Sequence, residues 1–280
     1  MSADDLWIVA IGGITAATCA WVGAFLMLRR MTALGDAVAH SILPGVVAAF
    51  LLIGQRSETT MYLGAMLTGT AATAVMEFLR SRGGMKPDAA IGVVFTGFFA
   101  VGIMLLTAFA DNVDLDLECV LYGEIVYAPL DVWTIGGTSY GPKAFWRSLA
   151  SMLFVVGVLI LTYKELMVVS FDGDYAQSVG LSPTSWRYVL AALTAIAVVT
   201  ALESVGVVLA TAFLTALPAA AYLLTGRLNR LLALATLFGL ASSGAGYAIA
   251  VALNVSVAGA MACAAGAIFL SAWAVAQRRD

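Results

Sequence analysis

One histidine occurs in 280 residues. It is His40, in the run GDAVAHSILPG, with Asp36 four positions before it and Pro44 four after. Residues four apart on a helix share a face, about one turn from each other. A carboxylate oxygen and an imidazole nitrogen on one face form a borderline ligand pair, suited to Zn²⁺, Mn²⁺ or Fe²⁺ rather than to alkali ions. Pro44 has no N–H, and the hydrogen bond it cannot give is the one that would end on the carbonyl of His40. That carbonyl is left to bond elsewhere or to face a water-filled path. Two plainer readings stay open. Asp36 follows Arg30 by only six residues and can cap a helix at a membrane surface, while a lone histidine in a membrane helix often serves as an interhelical hydrogen-bond donor. Glu203, in TALESVGVVLATAFLTALPAAA, is a third candidate ligand, or else the partner of a polar group on a neighbouring helix. In the same stretch Pro218 frees the carbonyl of Leu214 as Pro44 frees that of His40.

The elements that must hold these residues follow from composition. Apolar residues make up 62% of the chain and charged residues 11%, against roughly 25% charged in an ordinary soluble domain. With a mean hydropathy of +0.97, the bilayer is the expected solvent, and the fold class is an all-α polytopic membrane protein. A spanning helix needs about 20 mostly apolar residues. Candidate spans lie near 6–28, 36–54, 61–79, 88–110, 145–163, 187–204, 205–225, 231–252 and 256–276. Residues 187–225 are too many for one helix and divide around Glu203–Gly206, so eight or nine spans are expected. Backbone groups in lipid must pair internally, which makes the spans helices rather than strands. On this layout Asp36, His40 and Glu203 fall within spans, where an ionisable group is costly and by default points to function.

Basic residues decide the orientation. With nine spans and the N-terminus outside, the inside receives Arg29, Arg30, Arg80, Arg82, Lys86, Lys164, Arg187, Arg227, Arg230, Arg278 and Arg279, and the outside only Arg56, Lys143 and Arg147. Eleven against three favours nine spans and a C-terminus inside. The N-terminus MSADDLWIVA starts acidic and lacks a cleavage pattern, so the first apolar stretch is expected to be retained as a span. Cys19, Cys119 and Cys263 are too widely separated for a disulfide framework or a zinc cluster. The net charge of −3 gives no reason to expect nucleic acid as a partner.

Two connections stand out. The outside segment 111–131 holds Asp111, Asp114, Asp116, Glu118, Glu124 and Asp131 with no Lys or Arg. It is either an acidic mouth that concentrates cations or an ordinary solvated loop. The inside segment 164–186 carries its own helix punctuation: Asp172 as N-cap, Gly180 as a left-handed end and Pro183 as a barrier to return. A short helix near 173–179 is expected between two spans. No GxxxxGK[ST] loop, HExxH motif or GxSxG elbow is present, so nucleotide hydrolysis and peptide hydrolysis are not expected of this chain itself.

The blocks GDAVAHSILPGVVAAF, PDAAIGVVFTGFFAVGI, DLDLECVLYGE, YKELMVVSFDGDYAQSVGLSP and ALESVGVVLATAFLTALPAAAYLLT, in this order, resemble the membrane permeases of bacterial ABC importers for manganese, zinc and iron (the ABC-3 metal permease family). The resemblance covers about residues 20–276 and is closest to the manganese or chelated-iron branch. It implies a single transmembrane permease domain over 1–280, of the type II-like importer class, in the bacterial cytoplasmic membrane. It implies a homodimer of permeases, a separate cytoplasmic ABC ATPase subunit, and an extracytoplasmic metal-binding protein that delivers Mn²⁺, Zn²⁺ or Fe²⁺. No permanently bound cofactor is implied, and Mn²⁺ is the favoured cargo. Asp36 and His40 match the family's metal-path acid and histidine. Asp172, Asp174, Tyr175, Ala176, Gly180 and Leu181 fall on its coupling helix, with Tyr175 and Leu181 as apolar contacts to the ATPase.

Two positions depart from the family pattern: Leu117 and Glu118 follow Asp116 where a histidine is usual, and Glu203 stands where glutamine is usual. Asp111, Asp114, Asp116 and Glu118 would line the docking side. The competing expectation is a stand-alone secondary transporter driven by a gradient, with Asp36, His40 and Glu203 as a proton or cation relay.

Overall fold

Lipid offers the backbone no hydrogen-bond partner, so long apolar runs must satisfy their own N–H and C=O groups, and this chain does so with helices. The computed structural model describes residues 3–53, 58–109, 125–135 and 138–278. Its elements are α1 (Ala3–Leu28), α2 (Ala33–Ser41), α3 (Leu43–Ile53), α4 (Glu58–Ser81), α5 (Pro87–Phe109), a 3₁₀ turn at Ala128–Leu130, β1 (Val132–Ile135), β2 (Thr138–Pro142), α6 (Lys143–Leu161), α7 (Tyr163–Phe171), α8 (Gly173–Ser178), α9 (Pro183–Val205), α10 (Val207–Leu224), α11 (Leu228–Leu253) and α12 (Val257–Ala276). Nine candidate spans occur among the described residues: α1, α2–α3 together, α4, α5, α6, α9, α10, α11 and α12. The division near Glu203–Gly206 falls at Gly206, whose φ of 84° and ψ of 169° belong to a region only glycine enters freely. The acidic residues Asp111, Asp114, Asp116 and Glu118, with Cys119, lie outside the described residues.

The chain separates into two compact units. One comprises Met1–Met27, Leu117–Val158 and Thr200–Asp280, and the other Leu28–Asp116 and Leu159–Val199. In the first, small residues let helix backbones touch. A Cβ on Gly23 would strike the carbonyl oxygen of Leu214, and one on Gly246 would strike Met261. The contact at Leu214 is with the residue whose carbonyl Pro218 leaves without its helical donor. Polar side chains supply the rest of the adhesion, a pattern common where lipid gives helices no hydrophobic reason to associate. Trp21 Nε1 donates to Thr236 Oγ1 at 3.0 Å, Ser242 Oγ to the carbonyl of Met261 at 2.8 Å, and Tyr247 Oη to Asp5 Oδ1 at 2.6 Å. Strands β1 and β2 pair antiparallel, with an irregularity between Val132 and Thr134. Lys143 Nζ pairs with Asp131 Oδ1 at 2.8 Å at the foot of this ribbon.

In the second unit α3 crosses α4 at Gly45 and Gly64, where a Cβ on either glycine would meet the other's carbonyl oxygen. Gly45, the last residue of GDAVAHSILPG, thus brings α3 against α4. Leu43 packs over Gly102 of α5. Between α2 and α3, Ile42 keeps right-handed helical dihedrals, and both Gly45 and Val46 donate to its carbonyl at 3.0 and 3.2 Å. The chain therefore continues in the helical sense across the proline-induced gap.

Candidate functional site

Asp36 and His40 stand on α2 in one unit, one turn apart, with Asp36 Oδ1 3.9 Å from His40 Nε2. Metal–ligand bonds of about 2.1 Å bring two ligand atoms to about 3–3.5 Å of each other. The pair is wider than a closed chelate by about half an ångström, a gap that a side-chain rotation of Asp36 can close. Asp36 is 65% exposed and His40 32% exposed in their side chains, so both reach open space. Their helix neighbours Leu34, Ala37, Val38, Ala39 and Ser41 are buried, which fixes the helix face. The imidazole rests against two rings of α5: Phe95 with centroids 5.5 Å apart, and Phe99 at 5.9 Å in a T-shaped arrangement. Together α2 sets the spacing, Gly45 sets its depth against α4, and the two phenylalanines set the plane of the ring.

At 1.5 Å per residue, Asp36 lies about 4.5 Å and His40 about 10 Å along the span that starts at Ala33. Among the described residues no three His, Cys, Asp or Glu side chains converge as a metal-holding group. The described residues of one chain thus bring two candidate ligand atoms together here, where a transition metal takes four or more.

Glu203 belongs to the other unit, and its Oε1 forms an ion pair with Arg147 Nη1 of α6. Beside it Ser148 Oγ and Ser204 Oγ share a 2.9 Å hydrogen bond, and Ser204 also donates to the carbonyl of Thr200. Of the two roles left open for Glu203, the geometry supplies the polar partner on a neighbouring helix.

The connection between α6 and α9 has two helices where the sequence led us to expect one. Asp172 ends α7 and starts α8. Its backbone N–H donates to the carbonyl of Val168, and its Oδ1 accepts from the N–H of Tyr175 at 2.9 Å. Gly180 has φ +83°, and Leu181 N–H closes on the carbonyl of Ala176 at 2.9 Å, the six-to-one bond of a left-handed helix end. Pro183 then opens α9. Asp172, Gly180 and Pro183 hold the structural positions expected of them. Ala176 is fully buried, whereas Asp174 and Leu181 are exposed and partly exposed. Met167, Phe171, Tyr175 and Val179, four residues apart in turn, leave large apolar side chains in the open.

Sequence reasoning missed one ionisable site, Glu77. Its side chain is 2% exposed, near the end of α4, and its Oε1 accepts from Arg187 Nε at 2.5 Å. Arg80 Nη1 lies 3.7 Å from Oε2. The signal available in the sequence was a carboxylate in a span three residues before an arginine.

The ABC 3 transport family matches residues 6–276. The manganese transport system membrane protein MntD of Bacillus subtilis (strain 168) is 43% identical over 270 residues, covering 96% of this chain and 91% of that protein. The zinc transport system membrane protein TroD of Treponema pallidum (strain Nichols) is 39% identical over 266 residues, covering 94% and 71%. Among solved structures, PsaBC from Streptococcus pneumoniae in complex with Fab superposes with a TM-score of 0.78 at 26% identity, covering 98% of this chain and 92% of that one.

Proposed function

The chain belongs to the ABC 3 transport family, and from that premise we propose that it is the permease of an ATP-driven importer for a divalent transition metal, Mn²⁺ first, with Zn²⁺ and Fe²⁺ as the other cargoes. The observation that carries the reading is the Asp36–His40 pair, two borderline ligands held one turn apart on a span of a chain that is 43% identical to a manganese permease. Two ligands from one chain call for two more, and a second copy related by a twofold axis supplies another Asp36 and His40. The homodimer is therefore part of the proposal, with the ion passing between the two pairs. Four ligands drawn from open side chains suit transport, because a site that holds the ion too tightly cannot release it. Phe95 and Phe99 fix the imidazole plane and keep water from one side of it.

Movement of the ion requires that access alternate between the two sides of the membrane. The chain has no nucleotide-binding motif, so ATP is hydrolysed by a separate subunit. We place that subunit on the α7–α8 segment, where Met167 and Phe171 of α7, Tyr175 of α8 and Val179 just after it leave large apolar side chains exposed while Ala176 is buried. The face bearing α8 is the cytoplasmic one by the charge bias, and the metal-delivering protein docks on the opposite side, near 111–131. Glu203, already paired with Arg147, serves as a counter-ion inside the bundle rather than as a ligand.

The test is metal uptake in proteoliposomes containing the permease, the ATPase and the delivery protein. Asp36→Ala and His40→Ala are expected to abolish Mn²⁺ accumulation while the complex still assembles. Parental uptake in both variants removes the pair from the path. Uptake driven by a gradient without ATPase or ATP replaces the importer reading with the secondary transporter.

A further inference from the structure

At the end of the bundle where α1, α4, α7 and α9 come to the surface there is a cavity of about 270 Å³, lined by Arg29, Arg30, Arg80, Arg187, Ser170 and Gly173 among others. Four arginines line it, and among the described residues Glu77 is the carboxylate paired with them, through Arg187 and Arg80. Four positive charges less one negative leaves an excess of three. Arg29 is the member left incomplete. Its Nε donates to Ser170 Oγ at 3.0 Å, yet its Nη1 and Nη2 are buried and have no hydrogen-bond partner in the protein. Burial, then repulsion from Arg187 and Arg80, lowers its pKa to about 10, so it stays charged at neutral pH. A buried guanidinium without partners is costly, and although its Nη atoms stand behind the cavity wall, its positive charge favours an anion in the cavity beside it.

We propose that this cavity is a binding site for a phosphate-class anion, the phosphodiester headgroup of an anionic phospholipid. Three observations select that occupant. Planar guanidinium forks match phosphate oxygens two at a time. The arginines sit where spans end: Arg29 and Arg30 directly after the span closing at Leu28, Arg80 one residue before Ser81, and Arg187 four residues after Pro183. That is headgroup depth, where basic pockets between transmembrane helices take anionic lipids. Finally, at about 30 Å³ per water, the cavity has room for about nine waters, more than a bare halide needs and enough for a headgroup. A bound headgroup would tie the ends of α1, α4 and α9 to Ser170 and Gly173, the residues flanking Asp172 at the start of α8. Lipid composition then governs how firmly α8 is held to the spans. The site does not depend on which metal is carried. It rests on the proposed function only for the side of the membrane it faces.

The experiment uses the full chain in detergent, alone and with its ATPase partner, equilibrated with mixed micelles of phosphatidylglycerol and phosphatidylcholine, and reads retained lipid by native mass spectrometry. The variants are Arg29→Gln and Arg30→Asn, since Arg80 and Arg187 are needed to hold Glu77. Arg30 has φ +55°, a conformation asparagine tolerates, so the second variant preserves the turn. Selective retention of one phosphatidylglycerol per chain is expected. It should weaken about fivefold for each arginine removed, with no fall in the melting temperature in lipid-free detergent. Inorganic phosphate that stabilises the parent but not the variants, without lipid selectivity, supports the same anion site with a soluble occupant. Equal retention of both lipids with no response to phosphate overturns the proposal, as does retention unchanged in both variants. Loss of selectivity once the ATPase is bound also overturns it, assigning the arginines to the partner's carboxylates. The arm with the chain alone needs no transport, so it can fail or succeed independently of the importer reading.

Discussion

Glu77→Gln removes one charge and almost no volume, which makes it a clean test of whether the arginine cluster depends on that carboxylate. In the parent, Glu77 is 2% exposed and faces Arg187 at 2.5 Å and Arg80 at 3.7 Å. Removing one partner of a buried pair costs about 3–5 kcal/mol, because the other charge stays buried and uncompensated. Here the arginine side chains are 23% and 24% exposed, so part of each guanidinium remains hydrated and the expected cost falls to about 2–3 kcal/mol. Glutamine can still accept from Arg187 Nε, so the loss is charge rather than hydrogen bonding. For a chain of this size about 1 kcal/mol corresponds to about 2–4 °C, which gives a fall of about 5–10 °C in apparent melting temperature. Unfolding from detergent is commonly irreversible, so parent and variant are compared at one scan rate. Adding Arg187→Gln to Glu77→Gln should recover a good part of the loss, since the repulsion between Arg187 and its neighbours goes with it. A fall under about 2 °C, or a double variant that only sums the two single losses, refutes the view that Glu77 is the counter-charge of the cluster.

Three further outcomes follow from particular contacts. Gly45→Ala forces α3 off the carbonyl of Gly64, an overpacking cost of about 1–3 kcal/mol. Its melting temperature should drop, and Gly64→Ala should add little to the double variant because both open the same crossing. Gly180→Ala puts a Cβ at φ +83° at a cost of about 1–2 kcal/mol. It should lower the ratio of metal moved to ATP hydrolysed in the reconstituted complex more than Gly180→Asn does, and an unchanged ratio in both counts against α8 as the transmitting element. Glu203→Gln removes the negative charge from the ion pair with Arg147, a loss of about 1 kcal/mol for a partly exposed pair. Mn²⁺ uptake should persist in that variant, and loss of uptake with normal assembly would make Glu203 a ligand after all.

The spans were legible because each is a long apolar run, and length with hydropathy is a local property. The joint at Gly206 was legible to within three residues, since 187–225 exceeded one membrane crossing and offered few places to break. Asp172, Gly180 and Pro183 announced α8 for the same local reason: caps and left-handed ends are set by single residue types. What stayed hidden depends on distant residues. Glu77 sits in EFLRSRGG and reads as the solvated end of a span, and only Arg187, 110 positions on, turns it into a buried charge. Arg147 read as one of three outside cations, and its pairing with Glu203 spans 56 positions. The ribbon β1–β2 was readable in VWTIGGTSYGP, a double glycine between short alternating runs, but its strands of four and five residues are easily lost beside spans of twenty. Helix α7 was missed because Lys164 and Glu165 read as the polar end of a span, and the apolar residues after them are too few for another crossing.

The joint at Gly206 has a counterpart in the three residues between α11 and α12. By the charge bias both turns lie on the extracytoplasmic side, and neither is long enough to present a surface. The β1–β2 ribbon stands on the same side, immediately before α6. On the proposed reading, a visiting protein would find the ribbon rather than either turn as its platform. The ribbon is anchored at Gly141, where a Cβ would strike Trp7 of α1, so its exposed Trp133 and Tyr140 can change with the visitor while that anchor cannot.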